Sequence, residues 1–187
     1  MIATTGSATQ TRTLPVSLDD VAGAERLEYV LVMDPDPNHV ESVVTWLIHE
    51  TAMGLMEAQQ HHLRIALQEL IMNAVEHGCF EFQYHGKVDA VAKDRYDELV
   101  GQRRQDPRFR NRRVTIRVIY DKPRRILTYK IADEGKGFNW KAWAKPGVEV
   151  CPTGDISGRG IFLVHSFFPD IMYNDRGNEV TFTVSLA

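Results

Sequence analysis

Two alternating stretches near the middle of the chain constrain the fold most. In residues 114–120 apolar side chains alternate with polar ones, and residues 127–131 repeat the pattern after a turn at 121–124. A period of two is typical of a half-buried strand, and the short turn joins the two strands into a hairpin. A hairpin with one apolar face is stable when a second layer covers that face. The chain is therefore expected to contain a sheet packed under a helical layer.

Two stretches with helical periodicity precede the hairpin. In residues 40–48 apolar side chains recur every three or four positions, and we expect Asn38 to cap this helix and Gly54 to end it. A second helix is predicted over 57–77, with Gly78 as a left-handed capping residue. Its packing face consists of Leu63, Leu67, Leu70, Ile71 and Ala74, and its polar face of Glu69, Asn73, Glu76 and His77.

The remaining patterns complete one domain. A strand is predicted near 27–33, a short helix at 160–168 that Pro169 ends, and two strands at 171–173 and 180–186. Helices, a hairpin, a helix and further strands in this order predict an α+β fold. Its architecture is expected to be a two-layer α/β sandwich with a mixed, mostly antiparallel sheet and helices on one face.

Three segments fall outside the regular elements. Residues 1–24 show little periodicity and are expected to form a flexible arm before a domain at 25–187. Residues 80–111 are interpreted as an insertion in which 91–100 form a short helix. Residues 139–157 form a loop of the length that lids and binding loops have.

Composition excludes several classes of protein. A length of 187 residues with 43% hydrophobic and 25% charged residues fits one globular domain. No apolar run approaches the roughly 18 residues of a membrane span. The start of the chain does not resemble a secretory signal, so we expect a cytoplasmic protein. Cys79 and Cys151 are too few for a disulfide framework or a zinc site, and both are interpreted as small buried or half-buried thiols.

The net charge of −3 predicts no general attraction to nucleic acid or to a membrane surface. A local cluster of arginines departs from this overall negative charge, and it lies mostly within the insertion. It is interpreted either as a solvated loop or as a docking surface for a partner protein. Its members are Arg103, Arg104, Arg108, Arg110, Arg112 and Arg113.

Two segments carry side chains suited to nucleotide chemistry. Glu69 and Asn73 lie one helical turn apart and could together hold a hydrated divalent cation and a water or hydroxyl; a solvated helix face is the alternative. Asp133 directly follows a strand, where its carboxylate can accept a hydrogen bond from an exocyclic amine such as that of adenine. Gly135 and Gly137 allow close approach there. A plain acidic turn is the alternative.

A third segment is suited to phosphate. Gly158 and Gly160 precede the short helix, whose exposed amides and dipole favour an anion, although loop geometry alone explains two glycines equally well. Arg159 lies between them, where it could neutralise phosphate charge or point into solvent.

The order of these segments resembles one superfamily. A polar helix, a strand ending in Asp-x-Gly-x-Gly, a lid loop and Gly-x-Gly opening a helix are similar to the nucleotide-binding domain of the GHKL ATPases, over about residues 26–187. Within it, Glu-x-x-x-Asn-Ala-x-x-His-Gly at 69–78 and Gly-Arg-Gly-Ile-Phe-Leu at 158–163 resemble the small bacterial anti-sigma-factor serine/threonine kinases. The resemblance implies a Bergerat fold with ATP and Mg²⁺ as cofactors.

The resemblance also implies roles for individual residues. Glu69 would be the base near the attacking hydroxyl, Asn73 the magnesium ligand and Asp133 the adenine contact. His77 would either contact the nucleotide or have a structural role at the helix end. Asn178 stands where relatives often have threonine beside the nucleotide, so its amide would replace a hydroxyl. The glycines that would shape the pocket and lid are Gly135, Gly137, Gly158 and Gly160.

The function implied by the resemblance is an ATP-dependent serine/threonine protein kinase that phosphorylates a small antagonist protein and sequesters a sigma factor, in signal transduction and transcription regulation. A non-catalytic ATP-dependent switch and a histidine-kinase-like catalytic module are the alternatives, and the intact Glu69 speaks against the switch. Neither direct nucleic-acid binding nor membrane binding is expected, and a homodimer is left open. Because of the insertion, we expect partner recognition to differ from that of relatives that lack it.

Overall fold

The computed structural model describes residues 25–140 and 159–186, without the side chains of Tyr84, His85 and Arg159. Several predictions from the sequence therefore lie outside the described residues. They concern the arm at 1–24, nearly all of the lid at 139–157, Cys151 and Gly158.

The described strands form one sheet. They are β1 (Arg26–Met33), β2 (Val114–Asp121), β3 (Ile126–Asp133), β4 (Met172–Tyr173) and β5 (Glu179–Ser185), in the order β1-β2-β3-β5-β4. The predicted hairpin is confirmed, with Val118 of β2 opposite Tyr129 of β3. Every described pair is antiparallel, so the expectation of a mixed sheet is not met among these strands. β3 and β4 run in the same direction, but they form no parallel pair because β5 lies between them.

Helices cover one face of this sheet, as predicted for the α+β two-layer fold. Thr51 from the first helix and Tyr129 from β3 join their hydroxyls at 2.6 Å in the core, and Tyr129 stacks on Phe182 of β5 with ring centroids 5.3 Å apart. On the opposite face Val30 and Val32 remain 53% and 57% exposed. The helices are α1 (Val40–Thr51), α2 (Glu57–Asn73), α3 (Tyr84–Ala92), α4 (Tyr96–Gln105) and α5 (Arg159–Phe167). None of those described is long and apolar enough to cross a membrane.

The second helix does not end at Gly78. After α2 the chain continues as a π-helical segment, Ala74–Cys79, in which Val75 accepts a hydrogen bond from the Phe80 amide at 2.9 Å. Gly78 does not have a positive φ, so the prediction of a left-handed cap is wrong. Glycine is required there for a different reason, because a β-carbon at Gly78 would come within 2.3 Å of the Asp133 carboxyl carbon. Single-turn π-helical segments within α-helices are frequent at functional sites.

Asp36, and not the predicted Asn38, caps the start of the first helical region. The Asp36 carboxylate accepts a hydrogen bond from the Asn38 amide at 3.0 Å and begins a 3₁₀ turn, Pro37–His39, that leads into α1. Asp36 is only 4% exposed and also binds Arg104 at 2.6 Å. The cap is therefore fixed by a tertiary contact with α4, which the local sequence does not reveal.

Glu76 is buried, although the sequence places it on the polar face of the second helix. It is 2% exposed, and its two carboxylate oxygens accept hydrogen bonds from Lys87 at 2.5 Å and from the Tyr96 hydroxyl at 2.6 Å. These two partners lie on α3 and α4, so the insertion contains two helices where the sequence predicted one at 91–100. The chain turns between them at Asp94, whose φ is +54°. Glu76 thus attaches both helices of the insertion to the end of α2.

Four of the six arginines form ion pairs, and three of the six, Arg104, Arg108 and Arg110, remain exposed. Arg104 binds Asp36, Arg108 binds Asp106, Arg112 binds Glu81 and Arg113 binds Asp34. Phe109 is 5% exposed because guanidinium groups surround its ring; those of Arg103, Arg108 and Arg112 lie 4.7, 5.1 and 4.9 Å from its centroid. Ion pairs thus attach part of the cluster to the protein, and a docking surface for a partner stays a prediction. Arg110 is exposed and forms no ion pair with a described residue.

The attachment through Glu76 predicts a stability effect. Replacing Glu76 with Gln leaves the Lys87 ammonium without its counter-charge, and we expect the free energy of unfolding to fall by about 1–3 kcal/mol. Urea unfolding followed by circular dichroism measures this change. The matched control is Glu98→Gln on the exposed face of α4, which should stay within about 0.5 kcal/mol of the original protein. Equal effects of the two substitutions would contradict the assigned role of Glu76.

Candidate functional site

Asp133 lies at the end of β3, half-buried against the π-helical segment. One of its carboxylate oxygens accepts a hydrogen bond from the Gly135 amide at 2.8 Å. Burial raises the pKa of Asp133 to about 6, and this rise is opposed by the Gly135 amide and by the charges of Arg112 and Arg176. The carboxylate is therefore ionised near neutral pH but close to its titration range. Its second oxygen receives no hydrogen bond from a described residue.

Two glycines allow the backbone to close around this carboxylate. Gly78 meets Asp133 directly, as described above, and a β-carbon on Gly135 would lie 2.2 Å from the Gly78 carbonyl oxygen. The sequence predicted close approach at Gly135, and this is confirmed. The role of Gly78 was missed, because residues 78 and 133 are far apart in the chain.

The loop that follows Asp133 packs against the turn before β5. Gly137 and Gly177 both have a φ of +76°, and a β-carbon on either would come within 2.1 Å of a carbonyl oxygen of the other loop. Arg176 adds a hydrogen bond from its guanidinium to the Gly135 carbonyl at 2.8 Å. The predicted need for glycine at 137 is confirmed. Arg176 was not predicted, and no periodicity or spacing marks it in the sequence.

Asn178 fixes the backbone of Asp133. Its side-chain amide donates to the Asp133 carbonyl at 2.6 Å, and its own carbonyl accepts from the Asp133 amide at 2.9 Å. The side-chain oxygen accepts from Asn174 at 3.0 Å. The structure thus places Asn178 beside Asp133, in contact with protein atoms, and a direct contact with nucleotide stays a prediction.

Glu69 and Asn73 lie half-buried at the opposite end of the site, one turn apart on α2 as predicted. A β-carbon on Gly160 would come within 2.0 Å of a Glu69 carboxylate oxygen, so α5 and the Glu69 side chain pack closely at this point. The helix begins at Arg159, which puts Gly160 inside its first turn and not before it as predicted. The Glu69 carboxylate consequently lies beside the positive end of the α5 dipole.

His77 forms a contact at the helix end of the kind that its structural alternative implies, and a contact with nucleotide stays a prediction. Its Nδ1 donates to the Phe82 carbonyl at 2.9 Å, which holds the chain after the π-helical segment. Arg112 holds the same region from the other side, with hydrogen bonds to the Cys79 carbonyl at 2.8 Å and to Glu81 at 2.9 Å. Cys79 is buried as predicted, and burial raises the pKa of its thiol to about 12, so the thiol stays protonated.

The two ends of the site are joined by one continuous helical path. Nine residues separate Glu69 from Gly78, which corresponds to about 13 Å at the rise of an α-helix. An extended nucleotide can lie along such a path, with its base at Asp133 and its phosphates near the first turn of α5. The glycine-lined cradle at Asp133 and the uncovered carboxylate oxygen fit a planar base that carries an amine.

The side chains of Glu69 and Asn73 also fit a magnesium ion that is held mainly by the phosphates of a nucleotide. No three histidine, cysteine, aspartate or glutamate side chains converge on one point in residues 25–140 and 159–186. Magnesium in nucleotide sites is held chiefly by phosphate and water, with one or two protein ligands. Asn73 and Glu69 can supply that number.

Comparison with known proteins agrees with this geometry. Residues 33–184, from the end of β1 into β5, match the family described as the histidine kinase-like ATPase domain. No curated protein matches the sequence. The matched range contains Glu69, Asn73 and Asp133, and it also contains the glycines at 135, 137, 158 and 160. The chain therefore belongs to the histidine kinase-like ATPase family, and is an ATP-binding domain of the GHKL type.

Proposed function

We propose that this chain is an ATP-dependent serine/threonine protein kinase of the anti-sigma-factor type. The observation that carries the proposal is the Glu69 carboxylate, which lies half-buried beside the first turn of α5. No described residue forms a hydrogen bond or an ion pair with it. A general base must lie within hydrogen-bond reach of the proton that it accepts, and a carboxylate at this place can serve an acceptor hydroxyl bound beside α5.

The chemistry assigned to Glu69 is a single proton transfer. The acceptor oxygen attacks the γ-phosphorus of ATP, its proton passes to Glu69, and the bond to the bridging oxygen of ADP breaks. Asn73, one turn away, supplies its side-chain oxygen to the metal. Bound magnesium neutralises charge on the phosphates, so the contribution of the protein is mainly positioning and electrostatics.

The binding end of the site has a separate task. Asp133 accepts a hydrogen bond from the exocyclic amine of adenine through the carboxylate oxygen that Gly135 does not use. Asn178 and Arg176 keep the strand end and the following loop in place for this contact. Base recognition and phosphoryl transfer therefore depend on residues at opposite ends of α2, and substitutions can separate them.

The proposed partners follow from the resemblance at 69–78 and 158–163 to the anti-sigma-factor kinases. They are a small antagonist protein that accepts the phosphoryl group and a sigma factor that the chain sequesters. Within the insertion, α3 carries two exposed apolar side chains, Val88 and Val91, that are available to a partner.

The base contact predicts weaker nucleotide binding when the charge is removed. Asp133→Asn replaces a charge-assisted hydrogen bond with a mispaired amide, and the binding free energy of ATP should fall by about 1.5–3 kcal/mol. Isothermal titration calorimetry measures this loss. Asp121→Asn, at the other end of the same hairpin, is the matched control and should bind ATP normally. Unchanged affinity in the Asp133 variant would remove Asp133 from the site.

The raised pKa of Asp133 predicts a pH dependence. Only the ionised carboxylate accepts a hydrogen bond from an amine, and its pKa is about 6. Nucleotide affinity should therefore be constant above pH 7 and fall as pH decreases through 6, by roughly tenfold for each further pH unit. Fluorescence titration with a labelled adenine nucleotide from pH 5 to 8 tests this. Affinity that rises toward low pH would contradict the assignment.

A substitution of Glu69 distinguishes the serine/threonine kinase from the two alternative functions, the switch and the histidine-kinase-like module. Glu69→Gln should keep ATP affinity and reduce phosphoryl transfer to a candidate antagonist by about 10²-fold, because the proton acceptor is lost. Transfer is followed with γ-labelled ATP, and the exposed Glu57→Gln at the start of α2 is the control. Partner binding that depends on ATP without any transfer would favour the switch. Acid-labile label on histidine would favour a histidine-kinase-like module.

A further inference from the structure

Two arginines that the sequence did not connect with Asp133 bind the backbone on either side of it. One side is the helix wall, formed by Gly78 and Cys79 at the end of the π-helical segment. The other is the loop wall, formed by Gly135 and Lys136 after β3. Both walls reach the Asp133 carboxylate at distances that exclude a β-carbon at Gly78 or Gly135, so small movements of either wall would change the space around it.

Arg112 holds the helix wall. Its guanidinium donates to the Cys79 carbonyl at 2.8 Å and more weakly to the Gly78 carbonyl at 3.5 Å. Its side chain is only 21% exposed, and the Glu81 carboxylate at 2.9 Å fixes its orientation. These carbonyls are at the end of a helical segment, where a cation is favourable.

Arg176 holds the loop wall. Its guanidinium donates to the Gly135 carbonyl at 2.8 Å and to the Lys136 carbonyl at 3.3 Å. The residue comes from the turn before β5, so it joins the glycine loop to a different part of the sheet. A lysine could keep the charge at this place, but it lacks the planar fork that reaches two carbonyls together.

We propose that Arg112 and Arg176 are positioning residues for nucleotide binding, which hold the two walls against Asp133. This inference rests on the proposed nucleotide site and assigns it two residues from outside the glycine motifs. Neither arginine needs to touch the nucleotide. Each acts through backbone carbonyls and through its charge.

The charged groups around Asp133 support this role. Burial disfavours the carboxylate, and the charges of Arg112 and Arg176 both lower the pKa of Asp133 against that effect. The other titratable groups near this point are Cys79, whose thiol is neutral, and Glu134, whose carboxylate accepts from the Arg113 amide. Glu81 also lies in this network, paired with Arg112 and with Lys136. Within the described residues, Arg112 and Arg176 are thus the cations that act on Asp133.

The test is a series of ADP titrations from pH 5 to 8. ADP is used because its binding does not require phosphoryl transfer. Arg176→Gln should weaken ADP binding at pH 7 by roughly threefold to tenfold and move the pH midpoint of binding upward by about half a pH unit. Arg176→Lys should weaken binding but keep the midpoint of the original protein, because the charge remains. Arg124→Gln, in the distant β2–β3 turn, should change neither.

Arg112→Gln should behave as Arg176→Gln does, and thermal unfolding shows whether it remains folded. If Arg112→Gln does not remain folded, Arg112→Lys and the two Arg176 variants still test the inference. Variants that keep both the affinity and the midpoint of the original protein would overturn the inference, as would loss of affinity with an unmoved midpoint in Arg176→Gln. Failure of the original protein to bind ADP at any pH would overturn the nucleotide site as well. ADP binding without phosphoryl transfer would overturn only the kinase proposal.

Discussion

The contact between Asp133 and Gly78 is the constraint on which the rest of the site depends. It places a half-buried carboxylate against the backbone of a π-helical segment, with no room for a β-carbon between them. Burying a carboxylate is costly unless hydrogen bonds and nearby cations compensate. The Gly135 amide, Arg112 and Arg176 provide that compensation. A carboxylate held in this way is available to a ligand amine because only part of its hydrogen-bonding capacity is used.

The π-helical segment connects this contact with the insertion. Its extra residue per turn changes the direction of side chains after Asn73, and Glu76 points into the protein, where it binds α3 and α4. The insertion is attached again through Glu81, which pairs with Arg112 and with Lys136 of the glycine loop. The insertion therefore shares charged residues with the nucleotide site. Three arginine side chains also pack around the Phe109 ring.

The helix α2 and its π-helical continuation also set the distance between Asp133, which is assigned to the base, and Glu69, which is assigned to phosphoryl transfer. Glu69 approaches the first turn of α5, and Gly78 approaches the end of β3. Both contacts join a glycine to the end of an acidic side chain, Gly160 to Glu69 and Gly78 to Asp133. The spacing of the functional groups therefore depends on the close packing of these two carboxylates against glycine backbone.

Local patterns in the sequence determined the hairpin, the apolar face of α2 and the placement of Glu69, Asn73, Asp133 and the glycines, because strand and helix periods are expressed within a few neighbouring residues. Tertiary structure alone decided the burial of Glu76, the reason for glycine at 78 and the hydrogen bonds of Asn178, Arg112 and Arg176. Several of these contacts join residues more than thirty positions apart, such as Gly78 with Asp133 and Gly135 with Arg176. No period or spacing records a contact of that kind, since it depends on how the finished elements pack and on which buried charges need a partner.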